Sequence, residues 1–472
     1  MKAYVNGRWT EGGESFPVRN PYNNQQIGSA PLLSRQDVRE AVIGAKEGLA
    51  QMNSLSAYER YQILQRAAQG LEEAAERFAR LLSLEVGKTI REARGEVSRA
   101  IQTLTLSAEE AKRISGEVVP FGSAPGSGDR VGFYFRVPIG VIGAITPFNF
   151  PLNLALHKVA PALAAGNSVI LKPASATPLT NELLCQLLLQ AGLPPKGISL
   201  VTGKGEEVGE ALVRDEKVRM ITFTGSLDVG RRIMQGLGLK KATMELGSNS
   251  AVIVEKDAIL SEALPRIRDG AFTVAGQVCI SVQRVYAHKE IYDDFLDGFI
   301  PLVEGIRSAD PLDETTDMGP MISPQAAQRA KEWMEEAMGR GGKLLTGGGV
   351  KGSFMEPTVL TEVPRDCRVV SQEAFAPLVV VNPYGEFDKA IEEVNSSIYG
   401  LQAGIYTQDL DRALKAARRI EVGGVIINDI STFRVDLMPY GGVKGSGLGR
   451  EGPKYAIEEF TEPKLVSIRF HK

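Results

Sequence analysis

From Val137 onward, short apolar runs alternate with helical patterns, and this alternation constrains the fold more than any other feature of the sequence. Val169–Leu171, Ser199–Val201, Met220–Phe223 and Ala251–Val254 read as strands, with helical patterns such as Thr180–Ala191 and Glu206–Leu212 between them. Such alternation predicts a parallel, doubly wound sheet whose ligands bind at the carboxyl ends of the strands. A second series follows: Gln283–His288, Val369–Val370, Leu378–Val381, Ala403–Tyr406 and Gly424–Ile427, interleaved with helices over Ile291–Ile306 and Pro324–Met338. The expected fold is α/β with two doubly wound domains, which suits a chain of 472 residues.

The N-terminal part is more helical. Ser56 and Glu59 form a capping box, followed at helical spacing by Ile63, Leu64, Ala67, Leu71, Ala75, Phe78 and Leu82, with Gly87 as the stop. A second helix is expected from about Thr89 to Ile114. Val131, Phe133, Phe135 and Val137 then alternate with Gly132, Tyr134 and Arg136, which predicts a strand with one buried face. Val466, Ile468 and Phe470 alternate in the same way, giving a terminal strand that pairs within the chain or extends a neighbour's sheet.

Composition excludes several classes of function. A net charge of −3 gives no global pull towards nucleic acid or an anionic membrane. The apolar stretch Val137–Ile145 is too short to span a bilayer, and the N-terminus lacks the pattern of a signal peptide. Three cysteines cannot build a disulfide framework, which points to a reducing, cytoplasmic setting. Three histidines share no short motif with cysteine or with each other, so no metal site is expected. Glycine is the excess, 50 residues or about 11% against a usual ~7%, as turns and close backbone approaches require.

Three residues stand where chemistry is possible. Cys279 follows a glycine turn in Gly276-Gln277-Val278-Cys279. Glu245 lies between apolar residues and Gly247, where burial would raise its pKa towards that of a general base. Asn149 sits between Pro147 and Pro151 at a strand end, where its amide could serve as an oriented oxyanion donor. Each has a structural alternative: a packing thiol, an ion-paired or helix-end carboxylate, and a turn asparagine bonding its own backbone. Cys185, on an apolar helix, reads as packing, and Cys367 as structural.

Taken in chain order, the motifs say more. Pro147-Phe148-Asn149-Phe150-Pro151, Phe223-Thr224-Gly225-Ser226, Glu245-Leu246-Gly247, Gln277-Val278-Cys279, Glu373-Ala374-Phe375 and Pro439-Tyr440-Gly441-Gly442 together resemble the aldehyde dehydrogenase superfamily. The resemblance runs from about residue 5 to 468, and the 34 residues between Glu245 and Cys279 match the family's usual spacing. It implies that Cys279 is the nucleophile, that Asn149 and the Cys279 N–H hold the oxyanion, and that Glu245 activates water to hydrolyse a thioester. A glutamate at that position argues against the CoA-acylating branch. It also implies NAD or NADP as cofactor, held by Thr146, Pro147, Lys172, Ser175, Gly225, Ser226, Glu373 and Phe375. Strict NAD users in the family often carry glutamate where this chain has Ser175, so NADP is expected to be tolerated.

The resemblance further divides the chain. Residues 1–115 and 138–247 would bind cofactor, 248–445 would carry catalysis, and 116–137 with 460–472 would form an oligomerisation hairpin and terminal strand. A homodimer or homotetramer follows. The substrate tunnel is expected to involve Asn153, His157, Ser281, Arg434 and Tyr440, a polar set that suits a small hydroxylated or anionic aldehyde and looks like the lactaldehyde dehydrogenase-like branch. Arg434 has a structural alternative, pairing with Asp436 or Asp429. Other possibilities are a semialdehyde or non-phosphorylating glyceraldehyde-3-phosphate dehydrogenase, a CoA-acylating enzyme, and a non-catalytic relative.

Overall fold

The computed structural model describes residues 1–470; the last two positions of the expected 460–472 segment lie outside the described residues. Five parallel strands form the centre of the first sheet: in order across it, Ile198–Leu200, Ser168–Lys172, Val141–Ile145, Val218–Thr224 and Lys241–Glu245. Alternate residues of the central strand enter two separate cores, Ile142 and Ala144 on one face, Val141 and Ile145 on the other. Burial on both faces explains the unbroken apolar runs in the sequence. Strand order reverses between Val141–Ile145 and Val218–Thr224, and the crevice at such a switch point is where an open α/β sheet takes its ligand.

The second sheet has seven strands. Its parallel core runs Thr358–Thr361, Leu378–Tyr384, Arg284–His288, Ala251–Val254, Gln402–Tyr406 and Gly424–Ile427, with Lys343–Thr346 antiparallel at one edge. One expected strand is corrected: Val369–Val370 lies in a short helix, Arg368–Ser371, and Thr358–Thr361 occupies the sheet instead. Two β-branched residues are too short a run to separate strand from helix. The carboxyl-end expectation also needs correcting for this sheet, because the Cys279 loop enters it at the amino end of Arg284–His288.

The third sheet is antiparallel. Thr461–Arg469 pairs with Arg130–Pro138 over nine residue pairs, and Glu117–Val119 completes it on the other side. The terminal strand therefore finds its partner within the chain. The buried face expected on Val131–Val137 is not covered by the described residues: Val131, Phe133 and Phe135 are 49%, 39% and 40% exposed, because no layer of those residues packs over them.

The N-terminal helices follow their caps. The capping boxes at Ser56–Glu59 and Thr89–Glu92 start the helices Ala57–Glu73 and Ile90–Ala111, and Gly87 ends Ala75–Val86 in the left-handed conformation (φ 83°). The first expected helix is broken at Ala74 into two. Among the described residues no helix is long and apolar enough to cross a membrane.

Candidate active site

Cys279 is delivered by an unusual turn. Val274, Ala275 and Gly276 all adopt left-handed backbone conformations, with φ of 51°, 52° and 67°. For valine and alanine that conformation costs about 1–2 kcal/mol each, so neighbours must hold it. Glu92 Oε1 accepts the Val274 N–H at 2.7 Å, and Gln277 Nε2 donates to the Val274 carbonyl at 3.0 Å. A Cβ at Gly276 would lie 2.0 Å from the Ala376 carbonyl oxygen, so only glycine fits there. The turn places Cys279 on the wall of a cavity of about 860 Å³.

Asn149 and Glu245 line the same cavity, each reaching it from the carboxyl end of a first-sheet strand. Asn149 Nδ2 donates one hydrogen to the Gln277 carbonyl (2.8 Å), which orients the amide and leaves its second N–H available. Both Glu245 oxygens are buried without a hydrogen-bond partner among the described residues. Burial and the nearby charge of Glu451 push the Glu245 carboxyl well above its usual range. Gly441 gives it room, since a Cβ there would come within 2.8 Å of Glu245 Oε1. Burial pushes the Cys279 thiol up to about 11, against a hydrogen bond from Tyr440 Oη (2.9 Å) and the charge of Arg434. The Cys279 thiol and the Glu245 carboxyl thus face one cavity, each with its pKa pushed up by burial.

The other end of the cavity can hold a dinucleotide. Lys172, Thr146, Pro147, Gly225 and Ser226 line it at the switch point of the first sheet. Ser226 caps the helix Leu227–Gly236, whose N-terminus presents backbone N–H groups and a positive dipole end suited to pyrophosphate. A Cβ at Gly225 would sit 2.4 Å from the Phe223 ring, and one at Gly230 2.6 Å from Leu246. The buried hydroxyls of Thr146 and Thr224 have no partner among the described residues. Burial lowers the Lys172 ammonium to about 8. Glu373 accepts the Ser248 N–H (3.0 Å) and is raised by burial to about 7; Phe375, at φ 50°, crosses the Phe148 ring edge-on. Ser175 is exposed beside the cavity rather than on its wall, its hydroxyl donating to the Gly203 carbonyl at 3.3 Å.

The residues expected in the substrate tunnel divide. Tyr440 Oη lies 2.9 Å from Cys279 Sγ and the Arg434 guanidinium stacks on its ring at 3.6 Å, behind the cavity lining and not on it. Arg434 is buried, and its partner is neither Asp436 nor Asp429: it donates to Glu451 Oε2 (3.0 Å), while Asp429 pairs with Arg266. Its Nε has no partner among the described residues. Asn153 and His157 do not line the cavity. His157 Nε2 and Asn153 Nδ2 both turn to Asp436 Oδ1, at 2.8 and 3.2 Å, and Arg99 reaches the same carboxylate at 2.7 Å. Burial lowers the His157 pKa, and the carboxylate facing Nε2 accepts a hydrogen bond from that nitrogen. Ser281 is also turned away, its hydroxyl shared between the carbonyls of Gly270 and Ala271.

Sequence reasoning missed Glu451, Lys158, Arg99 and Arg329. Glu451 Oε1 accepts Lys158 Nζ at 2.7 Å, with both side chains buried. Burial opposes the charge on Glu451, but Lys158 and Arg434 overcome it and hold the carboxyl below its usual range. The available signal was Lys158 itself, a charged residue inside the wholly buried helix Asn153–Ala164. Arg329 lines the cavity near Glu373 and donates to the Ala374 carbonyl.

Comparison with known proteins shows the family. The profile of the Aldehyde dehydrogenase family matches residues 9–466. The chain is 52% identical to the 3-sulfolactaldehyde dehydrogenase of Priestia aryabhattai over 465 residues, covering 98% of this chain and 97% of that protein. It is 40% identical to the lactaldehyde dehydrogenase of Methanococcus aeolicus, over 98% and 99% of the two chains. A solved structure of glyceraldehyde-3-phosphate dehydrogenase from Methanocaldococcus jannaschii with NADP superposes with a TM-score of 0.94 at 42% identity, covering 97% and 100%. The chain therefore belongs to the aldehyde dehydrogenase family and is an oxidoreductase.

Proposed function

We propose that this protein oxidises a short aldehyde bearing a hydroxyl group and an anionic tail to the carboxylic acid, with NAD or NADP as acceptor. Glu245 takes the Cys279 proton, and the thiolate attacks the aldehyde carbon to give a thiohemiacetal. The second Asn149 N–H and the Cys279 backbone N–H stabilise the oxyanion. A nicotinamide held in the cradle would supply the hydride acceptor that turns this adduct into a thioester on Cys279. Once the proton taken from Cys279 has passed to solvent, Glu245 deprotonates water, the hydroxide adds to the thioester carbon and expels the Cys279 thiolate as the acid forms, and the thiolate takes the proton back from Glu245. Lys172 and the N-terminus of the Leu227 helix hold the cofactor, Glu373 and Phe375 confine its reactive end, and Ser175 leaves room for a 2′-phosphate.

The single observation that carries the reaction is the convergence of Cys279, Glu245 and Asn149 on one cavity with the dinucleotide cradle. For the substrate, support comes from Arg434, buried one aromatic ring away from the nucleophile with Nε unengaged among the described residues. A purely apolar tail would leave the Arg434 Nε–H unpaired, whereas an anionic tail could accept it. The names of the relatives are consistent with it: sulfonate, phosphate and hydroxyl groups beside a short aldehyde. The chain would assemble as a homodimer or homotetramer through the exposed apolar face of the third sheet, including Val131, Phe133 and Phe135. Three free cysteines suit a reducing, cytoplasmic setting.

A kinetic panel tests the reading: 3-sulfolactaldehyde, lactaldehyde, succinic semialdehyde, glyceraldehyde 3-phosphate and hexanal, each with NAD and NADP. The anionic hydroxyaldehydes should exceed hexanal in kcat/KM by about 10²-fold, the scale of one buried charged hydrogen bond. Equal efficiency for hexanal would overturn the substrate class.

A further inference from the structure

Two carboxylates one turn apart on the helix Ile90–Ala111 tie down two different segments of the site. Glu92 Oε1 accepts the Val274 N–H at 2.7 Å, within the left-handed turn before Cys279. Glu96 Oε1 accepts the N–H groups of Leu152 and Asn153, at 2.9 and 3.0 Å, just after the Asn149-Phe150-Pro151 segment. Glu96 Oε2 accepts Lys88 Nζ at 2.6 Å, with both side chains fully buried, and Lys88 Nζ lies 3.8 Å from the Phe150 ring centroid. The two segments are also joined to each other: Asn149 Nδ2 donates to the Gln277 carbonyl, and Gln277 Nε2 to the Val274 carbonyl. These bonds close a ring that runs from the helix through the nucleophile turn and the Asn149 amide and back to the helix. Neither Glu92 nor Glu96 lines the cavity.

We propose that Glu92 and Glu96 are positioning residues for the reaction, and that the helix between them sets where the Asn149 amide stands relative to Cys279. Four residues of helix rise about 6 Å and do not stretch, so the two anchors act as a fixed gauge. A segment of three left-handed residues and a segment bounded by two prolines cannot set that separation by themselves. The inference rests on the roles assigned above to Asn149 and Cys279.

The test removes the anchor without leaving a buried charge. Lys88→Met with Glu96→Gln loses the ion pair but keeps an oxygen for the two N–H groups; Lys88→Met with Glu96→Ala loses both. The glutamine enzyme should keep kcat within about threefold of wild type, and the alanine enzyme should lose about 30–100-fold, the scale of a misplacement near 1 Å. The KM for the dinucleotide should move less than about twofold, because the cradle does not depend on this anchor. In an Asn149→Ala background the step from glutamine to alanine should cost less than about threefold, since there is no amide left to misplace. Equal losses in both backgrounds, or no difference between glutamine and alanine, would overturn the proposal. An Asn149→Ala enzyme with undiminished kcat would instead overturn the oxyanion reading and this inference with it. If the Lys88→Met, Glu96→Ala enzyme does not fold, Glu92→Gln against Glu92→Leu makes the same comparison at the other anchor, with the same cycle and the same criteria.

Discussion

The two walls that meet at Cys279 are built by different means. The dinucleotide side is made of backbone: strand ends, a capped helix N-terminus, and glycines at positions 225, 230 and 247 where a Cβ would strike Phe223, Leu246 or Glu373. The opposite side, behind Tyr440 and off the cavity lining, is made of paired charge, buried except at the half-buried Arg99. Arg99, Lys158 and Arg434 face Asp436 and Glu451 there, brought from four separate stretches of the chain. Backbone walls tolerate different ligands of one general shape, whereas a paired-charge wall is destabilised by any change that leaves one partner alone.

The largest expected effect lies on the charged wall. Glu451→Gln leaves the Lys158 and Arg434 charges without their carboxylate, and thermal or chemical unfolding should show a loss of about 3–5 kcal/mol. Because the Glu451 carboxyl is held below its usual range, it contributes stability that is present above about pH 4.5 and lost as pH falls through its lowered folded value. The acid limb of the wild-type stability profile should therefore flatten in the variant. A loss under about 0.5 kcal/mol would mean that this wall is no more demanding than a surface pair.

A smaller effect joins the two walls at Cys279. Tyr440→Phe keeps the ring under Arg434 but removes the hydrogen bond that lowers the Cys279 thiol. The thiol should rise further, so iodoacetamide alkylation near pH 8 should slow about tenfold, one unit of pKa. An unchanged alkylation profile would remove Tyr440 from thiol activation.

On the backbone wall a single side chain should change preference without changing stability. Ser175→Glu places a carboxylate beside the cavity, and the ratio of kcat/KM for NADP to that for NAD should fall about five- to tenfold through like-charge repulsion, with the melting temperature held. An unchanged ratio would place the 2′-phosphate elsewhere.

The same division decided what could be read from the sequence. Asn149, Glu245 and Cys279 sit in short motifs whose function depends on a few adjacent residues, and the structure brings all three to one cavity. The parallel strands were legible because burial on both faces writes continuous apolar runs. Arg434 was singled out, but its partner Glu451 was not, because the pair is joined by folding and not by spacing that a local pattern would reveal. Asn153 and His157 fell on the expected segment, yet helical rotation aims them at Asp436 instead of the cavity. The exposed face of Val131–Phe135 shows the opposite error, since alternation signals an apolar face but cannot say whether this chain or another covers it.

The central claim is that Cys279 forms the covalent intermediate and Glu245 releases it. Glu245→Gln mixed rapidly with a turned-over aldehyde and NAD or NADP, read by absorbance of the reduced nicotinamide and by mass spectrometry of the protein, tests both roles at once. About one reduced nicotinamide per active site should form, more slowly than in wild type because Glu245 also takes the Cys279 proton, followed by turnover slowed by about 10²-fold or more, with an acyl mass on Cys279. Steady turnover at the wild-type rate, or a stalled enzyme carrying no acyl group on Cys279, would contradict it.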